Sequence, residues 1–373
     1  MTTFYVDIEP TNRCNAKCHF CPRDLTPHQG LMTPEVFERA LGRTVEFRDV
    51  VRDKFAGAPS LARTGALGGA IRDRFEQFNV VVNLCGLGEP LLNRNTPEYA
   101  RQVREAGFHC GLSTNASVLD EKRGRALLDA GLNNAFINVG DRDEAYEEVY
   151  KLPFERTRSN VVRFAEMAQG RCEVFVVLVD FRGDRNHVEG MKQYWREQGI
   201  QAFMEFEVMN RGGTLFVDHM QFDSYPQLEE ARAVLAARSA APACVVPFVY
   251  LFIGYDGQYY LCCSDWKKEV PLGSVFDTSF VAVTQQKLEH VTSREPICKS
   301  CNHDPINRLT AELRAIEAGD GDEASRDALI EELIDNTGTM RGIIDKLGPE
   351  AATPTSAGVV NGNGKRRIPV AVE

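Results

Sequence analysis

Three cysteines fall within eight residues, Cys14-Asn15-Ala16-Lys17-Cys18-His19-Phe20-Cys21, a C-x3-C-x2-C run. A strand-like stretch at 4–9 leads into them and breaks at Pro10. A loop this short can bend all three sulfurs toward one inorganic centre. Structural zinc takes four protein ligands, and His19, beside the second cysteine, is poorly placed to be the fourth. A [4Fe–4S] cube held by three thiolates keeps one iron free for a small molecule. The spacing therefore points to an open iron–sulfur site, with zinc or free thiols as the competing readings.

The chain has 373 residues and 11 cysteines, a high count for a reducing compartment, where structural disulfides are rare. Four more form a second set: Cys244, Cys262, and Cys298 with Cys301 as C-x2-C. Four thiolates close a site, as a second [4Fe–4S] cluster or as four-cysteine zinc. Cys263 adjoins Cys262, and spacing leaves open which is the ligand. Cys85, Cys110 and Cys172 border apolar runs and read as small core residues.

Around these sets the pattern alternates between strand and helix. Strands are expected at 4–9, 80–85, 108–112, 135–139, 174–179 and 201–206. Helices are expected at 33–41 (with Thr33 as N-cap), 96–106, 120–130, 155–168 and 187–198, several stopping at glycine. Six βα repeats in about 205 residues imply parallel pairing and right-handed crossovers. A closed eight-stranded barrel typically needs about 250 residues. The fold class is thus α/β, a partial (β/α)6 barrel over 1–206, interrupted by an insertion at 43–78 with helical pieces at 43–54 and 70–78. That insertion reads as a solvated one rather than a lid. Residues 207–243 bridge to a small second domain at 244–305, with a hairpin at Asp256-Gly257. A bridging helix is expected at 226–239. Residues 306–347 should be C-terminal helices, with Ser325 as a candidate N-cap, and 348–373 a disordered tail.

Composition narrows the function. With 43 Lys+Arg against 53 Asp+Glu the net charge is −10, which argues against a general nucleic-acid binder. No apolar run is long enough to span a membrane, and the N-terminus lacks a secretory pattern. The expected location is the cytoplasm.

In a parallel barrel the active site gathers at the C-terminal strand ends. There the chain places Gly86-Leu87-Gly88-Glu89-Pro90 after the second strand, Ser113-Thr114-Asn115 after the third and Asn138 after the fourth. Together with the cysteine run and Phe20 before its third member, these motifs resemble the radical S-adenosylmethionine (SAM) superfamily over about residues 4–305. The resemblance implies that Cys14, Cys18 and Cys21 hold a [4Fe–4S] cluster whose open iron chelates SAM. Reductive cleavage then yields a 5′-deoxyadenosyl radical that abstracts hydrogen from substrate. It assigns SAM contacts to Phe20, Gly86, Gly88, Glu89, Ser113, Asn115 and Asn138. Ala116 replaces a glycine of the family turn. Where relatives carry an arginine for the SAM carboxylate this chain has Tyr150-Lys151, so Lys151 or Arg142 is the substitute.

The second cysteine set, with Gly257-x4-Cys262 and Cys298-x2-Cys301, resembles the auxiliary-cluster module called twitch, a shortened SPASM domain. The Gly-x4-Cys match favours Cys262. A closed cluster suits electron transfer, so a dehydrogenation or oxidative coupling is expected, with the auxiliary cluster as electron acceptor. A reductase, flavodoxin or ferredoxin is the implied electron donor. Relatives with this plan oxidise aminocyclitols and sugars, or modify ribosomal peptides, often through a leader-binding domain ahead of the barrel. The first strand starts by Phe4, which tilts the expectation toward a small polar metabolite. The proton acceptor is undetermined among Arg182, Asp180 and Asp265. A non-enzymatic iron–sulfur or zinc protein is the remote alternative.

Overall fold

The computed structural model describes residues 3–56, 80–215, 222–239 and 241–348. Strand β1, Phe4–Ile8, shows how the sheet is built: Phe4, Val6 and Ile8 are fully buried on one face, while Tyr5 and Asp7 point to the other. Strands β2 (Val80–Leu84), β3 (His109–Thr114), β4 (Asn134–Asn138), β5 (Glu173–Asp180) and β6 (Ala202–Glu207) follow in parallel, each beside its predecessor. Asp7 lies opposite Asn83, and Ser113 opposite Phe136. The non-helical face carries Asp7, Asn83, Ser113 and Asn138 beside an apolar group of Tyr5, Val81 and Phe136, whereas the helix-covered face presents Val80, Val82, Leu112 and Ile137.

Helices pack on the apolar face. Helix α1, Pro34–Lys54, opens with the Thr33 hydroxyl accepting from the Val36 amide, a cap worth about 1 kcal/mol. The expected helix at 33–41 does not stop there: it runs through Gly42 into the segment assigned to the insertion. Thr44, Phe47 and Val51 continue its buried stripe, and Phe47 meets Phe4 edge-on at 5.3 Å and Phe280 at 5.2 Å. The expected helix at 70–78 and the tail beyond residue 348 lie outside the described residues. Helices α2 (Thr96–Glu105), α3 (Glu121–Asp129), α4 (Asp143–Tyr150), α5 (Phe154–Ala168) and α6 (Arg185–Glu197) complete the barrel half. Of these only α4 had no sequence expectation.

Residues beyond 243 extend the same sheet. Strand β7, Tyr250–Ile253, pairs parallel to β1 on its free edge, and Tyr5 stacks on Tyr250 at 4.9 Å. Strands β8 (Gln258–Tyr260) and β9 (Pro271–Ser274) add antiparallel, giving the order β6-β5-β4-β3-β2-β1-β7-β8-β9. The expected hairpin at Asp256-Gly257 is there, with Gly257 at φ 77°. Helix α7, Gln227–Arg238, packs with α9 (Pro305–Ala318) and the first half of α10 (Glu323–Leu347) around Leu235, Leu309 and Leu333. The second half of α10 joins the main core through Met340, Ile343 and Leu347, where α8 (Phe280–Ser293) also packs. Its N-cap is Asp322, which accepts from the Ser325 amide and hydroxyl. Ser325 is the donor, not the cap, because the helix begins two residues earlier, at Glu323, which puts the Ser325 amide in reach of the Asp322 carboxylate. No helix among the described residues is long and apolar enough to cross a membrane.

Candidate active site

The cysteine loop leaves β1 at Pro10 and is pinned from two sides. The Lys17 and His19 amides donate to the Tyr150 and Val149 carbonyls at 3.0 and 3.1 Å, which fastens the loop to the end of α4. The Arg23 guanidinium donates to the Cys14 carbonyl at 2.6 Å, and Glu89 donates its amide to the Arg13 carbonyl at 2.8 Å. Phe20 lies 5.5 Å from Tyr150 and 5.2 Å from Phe181.

Gly86 and Gly88 are required by packing. A Cβ on Gly88 would sit 2.4 Å from the Arg13 carbonyl oxygen and 2.5 Å from that of Thr11; one on Gly86 would meet Glu9 at 2.6 Å. The glycines let the turn after β2 lie directly against the cysteine loop. Glu89 is buried, and its carboxylate accepts from Leu91 N (3.0 Å), Thr114 Oγ1 (2.8 Å) and Asn115 N (2.7 Å). Burial pushes it up to about 6. It thus braces the end of β3, which presents Asn115; the Asn115 amide reaches Asn15 at 3.1 Å and Cys14 Sγ at 3.9 Å. Ala116 adopts φ 57°, the left-handed conformation for which glycine is the unstrained residue. Ser113 and Asn138 meet at 3.1 Å on the inner face. The structure therefore brings Phe20, Gly86, Gly88, Glu89, Ser113, Asn115 and Asn138 to the same end of the sheet.

Lys151 is set apart from them. It is the left-handed C-cap of α4, with an exposed side chain, and Arg142 is turned onto the Tyr194 ring at 5.3 Å. Arg182 stands closer to the loop, over the Phe181 ring at 4.2 Å and paired with Asp141 at 3.0 Å. A cavity of about 530 Å³ opens beside Asp141, Arg142, His187 and Met191, on the outer side of this pair. Of the proton-acceptor candidates, Asp265 accepts from the Glu269 and Val270 amides at 2.9 Å each, and Asp180 accepts from the Asp184 amide at 3.1 Å. Both close loops.

Five cysteines share one local device. The amide two residues on donates to the sulfur: Ala16 to Cys14, Ser264 to Cys262 and His303 to Cys301, each at 3.4 Å. Arg23 and Val246 do the same for Cys21 and Cys244. Such donors favour thiolate over thiol and so prepare a metal ligand. Cys263 lacks a donor two residues on. Its charged neighbours are Arg211, Asp7 and Lys287, whereas Cys262 senses Cys301 and Cys298. Burial pushes the Cys14 and Cys301 thiols up to about 11 and Cys298 up to about 12, and within each set the thiols raise one another. An iron–sulfur centre reverses that cost, since binding takes up the sulfurs as thiolates. Among the described residues no group of three or more His, Cys, Asp or Glu could hold a single metal ion.

Further donors point the same way. Among the described residues, the buried Nε atoms of Arg23 and Arg211 and the indole nitrogen of Trp266 have no hydrogen-bond partner. Arg23 lies against the first cysteine set, Trp266 belongs to the apolar cluster against which Cys21 packs, and Arg211 lies over the Trp266 ring at 5.7 Å. Buried N–H groups without acceptors are costly, and cluster sulfur is an acceptor of the right kind. Both cysteine sets fit such groups. Sequence reasoning missed Arg23 and Arg211, as well as Lys287, which is buried with Nζ donating to the Pro247 carbonyl at 2.6 Å. Only the fold brings these cations to the cysteines.

Comparison with known proteins agrees with this geometry. Residues 244–302 match the SPASM family, an iron-sulfur cluster-binding domain. The Fe-coproporphyrin III synthase of Methanosarcina barkeri is 25% identical over 129 residues, which are 35% of this chain and 25% of that protein. The fold is similar to that of anSMEcpe with bound AdoMet, at 14% identity and TM-score 0.51, covering 93% of this chain and 99% of that one. It is also similar to Streptococcus suis SuiB bound to its precursor peptide SuiA, at 12% identity and TM-score 0.53, covering 80% and 70%. A parallel half-barrel with a three-cysteine loop, continued into a segment that matches an iron-sulfur cluster-binding domain, is the fold shared with these structures, one of which holds AdoMet.

Proposed function

We propose that the chain is a radical SAM oxidoreductase that takes hydrogen from a small polar metabolite, sugar- or aminocyclitol-like, and passes the second electron to an auxiliary cluster. Cys14, Cys18 and Cys21 would hold the SAM-binding [4Fe–4S] cluster, and Cys244, Cys262, Cys298 and Cys301 the auxiliary one. When bound, the first cluster and SAM supply the radical that begins the reaction. The observation that carries this reading is that one apolar cluster, Leu87, Phe252, Tyr260 and Trp266, lies between the two cysteine sets, with Cys21 of the first packed against it and Trp266 following the second set's Cys262.

The protein's own groups then do the rest. Phe20, Tyr150 and Phe181 wall the loop and exclude water. Asp7, Asn83, Ser113 and Asn138 offer donors and acceptors on the sheet face away from the helices, which suits hydroxyl groups. Asp7 accepts from Asn83 at 3.0 Å, and burial pushes its carboxyl above the usual range. Asp265 and Asp180 are taken up by loop amides, whereas Asp7 lies on the inner face of the sheet, which makes Asp7 the proton acceptor of this reading. Oxidation of a carbinol radical would release one proton, which Asp7 is placed to take, and one electron, which an auxiliary cluster held by Cys244, Cys262, Cys298 and Cys301 would accept.

The test is anaerobic reconstitution followed by product analysis. About eight irons, equimolar 5′-deoxyadenosine and a product lighter by two hydrogens support the reading. A Cys298→Ala/Cys301→Ala protein should keep reductive SAM cleavage and lose product. Bound zinc with no cleavage would overturn the proposal. A ribosomal peptide is the second reading, because SuiB, of similar fold, binds a precursor peptide; a crosslinked or oxidised peptide product would select it.

A further inference from the structure

The bridging segment before α7 wraps the Cys298–Cys301 loop. Asn210 donates its side-chain amide to the Ser300 carbonyl at 2.6 Å, and its own amide to Asn302 Oδ1 at 3.1 Å. Asn302 returns bonds to Asn210 Oδ1 and to the Val208 carbonyl, each at 3.1 Å. Arg211 follows in a left-handed conformation, φ 52°, which a non-glycine residue keeps only when its surroundings enforce it. The next residue, Gly212, donates its amide to Cys301. The Arg211 side chain leaves this anchored turn and crosses to Trp266, a member of the apolar cluster against which Cys21 packs. Among the described residues its Nη1 reaches only the Met209 sulfur, at 3.6 Å, its Nε has no partner, and no carboxylate is paired with it. A guanidinium cannot shed its proton, so a fixed positive charge stands between the two cysteine sets.

We propose that Arg211 is a positioning residue common to both iron–sulfur sites, whose charge and free N–H hold the reduction potentials of the two clusters up together. The inference rests on the proposed function, in that both sets must carry clusters. Its physics is simple. Reduction adds negative charge to a cluster, and a nearby cation and N–H groups aimed at sulfur stabilise the reduced form. The side chain faces both sides: its turn is bonded to the Cys298–Cys301 loop, and its guanidinium lies over Trp266, in the apolar cluster against which Cys21 packs. One arginine thus eases entry of the first electron at the SAM site and keeps the auxiliary cluster a competent acceptor.

The experiment is an EPR-monitored redox titration of the reconstituted full chain without substrate. Compared are wild type, Arg211→Gln, Arg211→Lys, and Arg171→Gln as a control of equal charge change. Arg171 is half-exposed, pairs with Asp129 at 2.8 Å and lies before β5, at the opposite end of the sheet. In Arg211→Gln both potentials should move negative, each by at least a tenfold fall in the reduced-to-oxidised ratio at fixed potential, ~59 mV for a one-electron couple. Arg211→Lys should stay within about threefold of wild type, and Arg171→Gln should not differ from it. An unmoved potential for either cluster in Arg211→Gln, or an equal shift in the lysine variant, overturns the inference. If Arg211→Gln fails to take up iron, Arg211→Met is read in the same way. Loss of iron from both neutral variants assigns the residue to folding and also overturns it. Wild type without two clusters instead defeats the proposed function.

Discussion

Glu89 illustrates how a motif residue acts through its neighbours. Its carboxylate takes three protein donors and holds Thr114 and Asn115 in place beside Cys14. Because burial raises it to about 6 from 4.5, the folded state binds more protons than the unfolded one between those values. Stability attached to Glu89 is therefore full below about pH 4.5 and is lost as the pH rises through about 6. Glu89→Gln should flatten that part of the stability profile, measured by thermal melts from pH 4 to 7. At Gly88 the obstacle is backbone, which cannot swing aside. Gly88→Ala should cost about 1–3 kcal/mol and lower the iron taken up on reconstitution, read by iron assay. The Gly-x-Gly-Glu-Pro run was legible as a site motif from its place after a strand. That its glycines serve contact with the cysteine loop was not, because the contact joins residues 11–13 to 88.

Helix α1 shows the same limit for an element. Thr33 and the helical character of 33–41 and of 43–54 were readable from local chemistry, but Gly42 between them hid that they form one helix. Phe47 decides it by packing against both Phe4 and Phe280, two partners far away in sequence. Phe47→Ala should destabilise the protein by about 3–5 kcal/mol, checked by denaturant titration. At α10, Asp322→Ala should cost about 1 kcal/mol in the same assay, and Ser325→Ala clearly less, since its amide still donates to Asp322. The missed helix α4 begins at Asp143, whose φ is 53°, and ends at the left-handed Lys151. Its carbonyls hold the cysteine loop, a role with no local signature.

At the scale of the molecule, the barrel and the iron–sulfur domain are one sheet, joined where β7 pairs with β1. A buried ion pair seals the joint. Lys268 Nζ lies 3.3 Å from Glu9 Oε2, over the rings of Tyr255 and Tyr260, and Glu9 also accepts from the Leu87 and Tyr255 amides at 2.8 and 3.1 Å. Lys268→Met leaves Glu9 buried and unpaired, so a loss of about 3–5 kcal/mol is expected. Glu9→Gln with Lys268→Met should lose less, and thermal melts of the three proteins give the comparison. The pair also couples the turn carrying Gly86 and Gly88 to the β7–β8 hairpin, so the single variant should weaken both cysteine sets.

Local chemistry alone determined the parallel alternation, the two cysteine sets and the polar turns at strand ends, since each depends on spacing within a few residues. Contacts between distant segments decided the rest. They set β7 beside β1, carried Arg23, Arg211 and Lys287 to the sulfurs, turned Asp7 to the inner face beside Asn83, and left Lys151 exposed at a helix end. Charges act through space, over separations that only the folded chain defines.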